Sequence, residues 1–421
     1  MTVQIDIDRL MGRIFALGKV GALQDGGVCR LALTDEDKQG RDLLVDWMTA
    51  LALDIHIDGV GNIIGIRKGR KDNAPVMIGS HIDSVATGGL YDGALGVLSG
   101  LEIVAALNDH GVETQRPIVV VAFTNEEGVR FAPDMLGSLV YADGLSLEEA
   151  LGITGIDGTT VGDDLARIGY AGDWPVGGIQ PHAYLELHIE QGPVLETEAA
   201  EIGVVEGVQG ISWTEITFDG TSAHAGTTPM RLRHDAGRAA AEFSVEITRL
   251  AEQMGESQVC TIGAVELHPN LVNVVPERAV ITLDLRNPDE ERLKAVEAGA
   301  AELLDRIAER REVGVKTRKL ARFEPVAFAP AIVDSIEAHA AKLGYSSRRM
   351  YAGAGHDAQM IARMCPAGMI FIPSKNGLSH NVTEYSAPEE IARGAGLLLE
   401  AVLDLAGVAK ATGDTQEATR Q

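Results

Sequence analysis

Histidine and carboxylate side chains recur in this sequence where short apolar runs stop. His81 and Asp83 follow "PVMIG", Asp92 lies in the glycine-rich loop "GGLYDGALG", and Glu126 and Glu127 terminate "IVVVAFTN". His188 closes "AYLELH", and His380 follows "MIFIP" in "SKNGLSHN". Singly, each has an ordinary structural explanation: Asp92-Gly93 is a common turn pair, Glu126-Glu127 could cap a helix, and an isolated histidine is more often hydrogen-bonded than ligating. Brought together, three histidines and several carboxylates would repel one another or be stranded without a cation, so a divalent metal site is the expected resolution.

The donor types narrow the metal. Imidazole and carboxylate without thiolate suit zinc, with manganese, cobalt or nickel as replacements. His81, Asp92, His188, His380 and one of the paired glutamates exceed the roughly three protein ligands of a single catalytic zinc, so two metals sharing a bridging carboxylate are expected, with Asp92 as the bridge. Asp83, two residues past His81, is expected to accept that imidazole's second N–H. Glu126 and Glu127 alternate sides on a regular strand but can diverge beyond its end, one holding metal and the other reaching the attacking water.

These residues need elements to position them. "RLMGRIFALGKVG" and "DEDKQGRDLLVDWMTAL" carry helical periodicity, the second after the N-cap candidate Thr34. "APVMIGS" and "RPIVVVAFTNEE" read as buried strands with the helix "GVLSGLEIVAALNDHG" between them, a βαβ unit of a sheet covered on both faces. Open α/β sheets bind ligands beyond the carboxyl ends of their strands, which is where the histidines fall. From about Ile211, "ISWTEITFDG", "QVCTIGAVEL" and "AVITLDLRNP" alternate polar and apolar residues as half-exposed antiparallel strands do, interleaved with two long helices. The expectation is an α/β chain: residues 1–210 and 329–421 form a domain with a mainly parallel sheet flanked by helices, and residues 211–328 form an inserted α+β domain with an antiparallel sheet. The tail "KATGDTQEATRQ" is polar and expected to fray.

Composition limits the partners. A formal charge of −25 disfavours nucleic acid or an anionic membrane as the main partner. Cys29, Cys260 and Cys365 are too scattered for a disulfide framework, which fits a reducing cytoplasm. The first residues lack a signal peptide's apolar core, and no run reaches the ~18 apolar residues of a membrane span. "GVVEGVQG" and "GAGHDAQM" lack the strand–G-x-G-x-x-G–helix context of a dinucleotide site.

"SHIDSV…GGLYDGALGVL", "TNEEGVRF", "LHIEQGPVLE", "GTSAHAGTTPM" and "LSHNVTEYS" together resemble the family of N-carbamoyl-L-amino-acid hydrolase, β-ureidopropionase and allantoate amidohydrolase, a branch of the dinuclear zinc aminoacylases and exopeptidases. The resemblance runs from Gly79 to Ser386. It implies that His81, Asp92 and His188 hold one metal and Asp92, Glu127 and His380 the other, with Glu126 as general base. It further implies that the inserted domain is a lid through which a homodimer forms, and that His224 reaches the substrate's carbonyl oxygen from the neighbouring subunit. Arg286, on the polar face of "AVITLDLRNP", would grip a substrate carboxylate; Asn273, Gln191, Gly355 and His356 would line the substrate site. The short gap from His81 to Asp92 and a histidine in "LHIEQG" resemble the carbamoyl-hydrolysing branch more than the peptidases. The implied reaction is hydrolysis of an N-carbamoyl-L-amino acid, a small ureido substrate, to the amino acid, ammonia and carbon dioxide. Alternatives are allantoate or N-carbamoyl-β-alanine, an N-acyl amino acid or dipeptide, and a silent relative that binds metal without turnover; the last predicts a lost ligand or base, and all six positions are intact.

Overall fold

A computed structural model describes residues 3–409; the tail expected to fray, residues 410–421, lies outside them. The chain forms two compact units, one ending at Glu206 and resuming at Phe328, the other Gly207–Ala327. The alternation pattern sets the insert at 211–328, whereas the second unit starts at Gly207, within the strand Ile202–Val208.

The first unit opens with the helices Ile7–Leu17 and Asp35–Ala50, the latter capped by the Thr34 hydroxyl, which accepts Asp37 N–H. Strands β1 (Asp54–Ile57), β2 (Ile63–Arg67), β3 (Val76–His81), β4 (Ile118–Phe123), β5 (Ala183–Ile189) and β6 (Ile202–Val208) follow. The second unit contributes β7 (Gly210–Asp219), β8 (Ala223–His224), β9 (Val259–His268), β10 (Val274–Val275), β11 (Arg278–Asn287), β12 (Gly314–Phe323) and β13 (Val326–Ala327). The chain then supplies β14 (Ser347–Ala352) and β15 (Ala367–Ile372) before the final helix Pro388–Ala406.

The large sheet has the order β1-β2-β4-β3-β5-β15-β6-β13, with β14 paired to β6. Its centre, β4-β3-β5-β15, is parallel, and its flanks are antiparallel. Every residue of those central strands is buried, as their unbroken apolar runs require of a sheet covered on both faces. The helices Ala94–Asp109, Pro330–Leu343 and Pro388–Ala406 pack against it. The βαβ unit read from the sequence is β3, Ala94–Asp109 and β4. Because the central strands run the same way, their carboxyl ends line one edge of the sheet, and each releases its candidate ligands there.

The second unit is an antiparallel sheet, β12-β7-β11-β9. The helices Ala236–Gln253 and Glu290–Arg311 cover one face, over a core that includes Ile216, Phe218, Phe243, Ile281, Leu283 and Val296. β11 alternates as its sequence reads, with Ile281, Leu283 and Leu285 buried and Thr282, Asp284 and Arg286 half-buried on the other face. β8 and β10 form a separate two-stranded ribbon. Cys29, Cys260 and Cys365 are free thiols, and no helix of the described residues is long and apolar enough to cross a membrane.

Candidate metal centre

His81 is the last residue of β3, His188 the penultimate residue of β5, and Glu126 and Glu127 follow the end of β4. His380 lies past β15, and Asp92 stands just before the helix Ala94–Asp109. Asp92 divides its two oxygens between two groups. Oδ1 lies 3.2 Å from His188 Nε2 and 3.7 Å from His81 Nε2, whereas Oδ2 lies 3.4 Å from His380 Nε2. His380 Nε2 is also 3.3 Å from Glu127 Oε2. His81, Asp92 and His188 thus offer ligand atoms within 4.8 Å of one another, and so do Asp92, Glu127 and His380. Glu126 Oε2 stands 3.4 Å from His81 Nε2, at the edge of the first group.

The ring orientations suit ligation. His81 Nδ1 faces the carbonyl oxygen of Asp83 at 3.0 Å, and His188 Nδ1 faces that of Ile189 at 2.9 Å. A carbonyl only accepts, so each Nδ1 carries a proton and each Nε2 is the nitrogen turned toward Asp92, the one that can ligate once it is bare. Here the expectation for Asp83 is corrected. Its backbone carbonyl, not its carboxylate, orients His81; the carboxylate instead accepts the N–H groups of Glu126 at 3.2 Å and Glu127 at 3.3 Å, its nearer oxygen staying 3.8 Å from the imidazole. The turn after β4 has two amide N–H groups with no ladder partner, and the carboxylate satisfies more donors by accepting from both than by accepting from one ring N–H.

So many acids in one buried place disturb their titration. Burial, then the charges of Asp357, Glu127, Asp92 and Asp83, raises Glu126 well above the usual carboxylate range, and burial with Asp92 and Asp83 does the same to Glu127. Burial opposes charge on Asp92 as well, yet the hydrogen bonds from His188 and His380 hold it well below that range. A cluster with one anion paired to imidazoles and two glutamates inclined to keep protons is a cluster short of positive charge, and a divalent cation supplies it.

The remaining expected residues divide between the two units. Gln191 is held in a left-handed backbone conformation at φ 59° and donates from Nε2 to Asp92 Oδ2 at 3.0 Å, so it supports the carboxylate common to the two groups. His356 is buried with its ring edge-on to His188, centroids 4.5 Å apart, and its Nε2 has no partner; Gly355 precedes it against Met135. In the second unit, His224 pairs across the ribbon with Val274, and Asn273 O accepts Ala225 N–H at 2.9 Å. Arg286 bonds Asp284 through Nη2 at 2.9 Å and lies over Trp213, 5.9 Å from the ring centroid.

Two residues escaped the sequence reading. Glu384 Oε1 accepts the N–H groups of Tyr91 and Asp92, each at 3.2 Å, while Oε2 accepts from Ser379, fixing the loop that carries Asp92. Glu186 accepts from Ser80 Oγ at 2.7 Å, Tyr184 Oη at 3.1 Å and Ala358 N at 2.9 Å, tying β5 to β3 and to the segment after His356. The strand period was a usable signal for Glu186, which shares a face with His188 two residues on. Glu384 carried none, because an acid four residues past His380 reads as a surface residue.

The chain matches the profile of peptidase family M20/M25/M40 over residues 77–404. It is 42% identical over 406 residues to the N-carbamoyl-L-amino-acid amidohydrolase of Rhizobium meliloti, covering 96% of this chain and 98% of that one. It is 36% identical over 409 residues to the ureidoglycolate hydrolase of Arabidopsis thaliana, covering 94% and 86%. A solved amidase of the hydantoinase/carbamoylase family from Burkholderia multivorans superposes with a TM-score of 0.94 at 46% identity, covering 96% and 98%.

Proposed function

This chain belongs to peptidase family M20/M25/M40, and from that premise we propose that it is a metal-dependent amidohydrolase that cleaves N-carbamoyl-L-amino acids. The observation that carries the reading is the division of Asp92 between two ligand groups with Glu126 beside them, in a chain that resembles carbamoyl hydrolases along nearly its whole length.

His81, Asp92 and His188 would hold one divalent ion and Asp92, Glu127 and His380 a second, zinc being the first choice for these donors and manganese, cobalt or nickel its replacements. Such ions supply Lewis acidity toward a carbonyl oxygen and toward water. Glu126 takes a proton from the attacking water and passes it to the departing amino nitrogen. Burial suits it to that work, because a raised pKa makes its carboxylate a stronger base toward the proton of the attacking water. The C–N bond to the amino acid breaks, and the carbamate left behind falls to ammonia and carbon dioxide. Arg286 would grip the substrate carboxylate, His224 would donate to the carbonyl oxygen, and Asn273, Gln191, Gly355 and His356 would line the remaining surface. A homodimer joined through the second unit, in the cytoplasm, completes the proposal.

The similarity to a ureidoglycolate hydrolase favours one second reading, in which another ureido compound such as allantoate is the substrate. Ammonia release across N-carbamoyl-α-amino acids, N-carbamoyl-β-alanine, allantoate and N-acetyl amino acids separates the readings. Glu126→Gln is expected to keep its metal and lose hydrolysis by roughly 10²–10⁴-fold, the usual contribution of a general base. Undiminished turnover in that variant would sink the mechanism.

A further inference from the structure

His224 ends β8, and its ring is oriented in the opposite sense to His81 and His188. Its Nδ1 accepts the backbone N–H of Gly226 at 3.1 Å and faces that of Thr227 at 3.3 Å. A backbone amide only donates, so Nδ1 offers its lone pair to the turn and the ring proton sits on Nε2, pointing away from it. In His81 and His188 it is Nδ1 that carries a proton to a backbone carbonyl; in His224 Nδ1 accepts, and Nε2 presents the hydrogen.

The turn that sets this polarity is itself held. Arg233 Nε donates to the carbonyl of Thr228 at 2.9 Å, and Arg233 Nη2 donates to that of Ala225, so one guanidinium spans the two carbonyls that bracket Gly226 and Thr227. Thr228 N–H closes back onto His224 O at 3.1 Å. Space is tight on the ring side: a Cβ at Gly226 would lie 3.3 Å from His224 Cε1. A planar fork with fixed donor directions can hold two carbonyls at once, which an ammonium reaching one of them cannot.

We propose that Arg233 is a positioning residue that fixes His224 as an Nε2–H donor. A nitrogen that already carries its proton has no lone pair with which to act as a base, so the division of labour follows: His224 hydrogen-bonds the oxygen on which negative charge grows, and proton abstraction falls to Glu126. The proposal rests on the reading of His224 as the carbonyl-oxygen donor, whereas the clamp lies wholly within the second unit.

The test uses metal-loaded enzyme labelled with ¹⁵N-histidine, comparing wild type with Arg233→Ala, Arg233→Lys and Gly226→Ala, and His224→Ala to assign the signal. The wild-type ring should show a protonated Nε2 and a bare Nδ1. Arg233→Ala should show mixed tautomers, with kcat down roughly 10- to 100-fold, as for a misplacement of ~1 Å, KM moved less, and metal content and melting temperature retained. Arg233→Lys should fall between, Gly226→Ala should show the same tautomer mixing from the ring side, and added guanidinium ion should restore part of the Arg233→Ala rate. If Arg233→Ala keeps a pure Nε2–H signal, or loses it without loss of kcat while His224→Ala is inactive, the positioning role is overturned. Mixed tautomers in Arg233→Ala together with a fully active His224→Ala would overturn the reading of His224 and leave the clamp standing. Should Arg233→Ala fail to fold, the lysine and Gly226→Ala variants decide the same question.

Discussion

Asp83 Oδ1 accepts the backbone N–H of Glu126 at 3.2 Å, which ties the end of β3 to the end of β4 where both strands release their functional side chains. Asp83 Oδ2 takes Glu127 N–H in the same way, so one buried carboxylate aims both the expected base and an expected ligand. Burial, with the charge of Asp37, pushes Asp83 up to about 7 although those two N–H groups favour its anion. Asp83→Ala should therefore lower kcat by roughly 10- to 100-fold, the usual penalty for losing an outer partner of a metal site. Asp83→Asn, which can accept one amide, should lie between. Steady-state kinetics beside metal analysis decides; wild-type kcat in Asp83→Ala would mean that Glu126 finds its place unaided.

Metal binding should release protons. Burial lowers His81 to about 4, so its Nε2 is bare at neutral pH. Burial opposes charge on His188 too, but the hydrogen bond and charge of Asp92 outweigh it and hold His188 up at about 9 in the metal-free protein. At pH 7 His188 thus carries a proton that a cation must displace. Its contribution makes apparent affinity rise about tenfold per pH unit toward pH 9 and level off above. Calorimetric titration of chelator-stripped protein with zinc, in buffers of different protonation enthalpy, reads the proton count; heats independent of buffer at pH 7 would contradict it. Stripping should also remove hydrolysis, and with it the roughly 2.7 kcal/mol of stabilisation that a ligand at 100 times its Kd confers.

What the sequence revealed of this site follows from the range of the interactions involved. The βαβ unit, the parallel core and the placement of His81, Glu126, His188 and His380 beyond apolar runs are consequences of local patterning, since an unbroken apolar run dictates a strand buried on both faces. The hydrogen-bond partners are not local. Whether Asp83 turns its carboxylate to His81 or to the amides of Glu126 and Glu127 depends on a turn 43 residues away, and the hold of Glu384 on the Asp92 loop spans 292 residues. Chain spacing carries no trace of such contacts. The same limit applies to Arg286, whose face of β11 was legible from the two-residue period while its pairing with Asp284 depends on rotamers.

That pairing shapes the prediction for Arg286. Asp284 holds the guanidinium through both Nε and Nη2, which keeps the fork oriented before any carboxylate arrives. Arg286→Ala should raise KM for an N-carbamoyl amino acid roughly 10- to 100-fold, the value of a charge-assisted hydrogen bond. Arg286→Lys should recover little, because an ammonium cannot make the bidentate contact. The same substitutions should leave a carboxamide analogue of the substrate unaffected. Equal losses on acid and amide would show that Arg286 serves the protein rather than the substrate carboxylate.

Gly93 follows Asp92 and has φ 64° and ψ −50°, a conformation that side chains strain to adopt. Space is as decisive as strain: a Cβ there would lie 2.3 Å from His81 Nε2, the atom expected to bind metal. Gly93→Ala must move either the His81 ring or the loop that presents Asp92, and both belong to the same ligand group. Since Asp92 also serves the second group, the damage should not stay with one metal. The variant should bind less than its full complement, lose most of its activity, and lose about 1–3 kcal/mol of stability to the forced backbone. Metal analysis and thermal melting of the purified variant test this together. Full metal and activity in Gly93→Ala would mean that the loop can reshape without disturbing its ligands, and that the glycine is there for the turn alone.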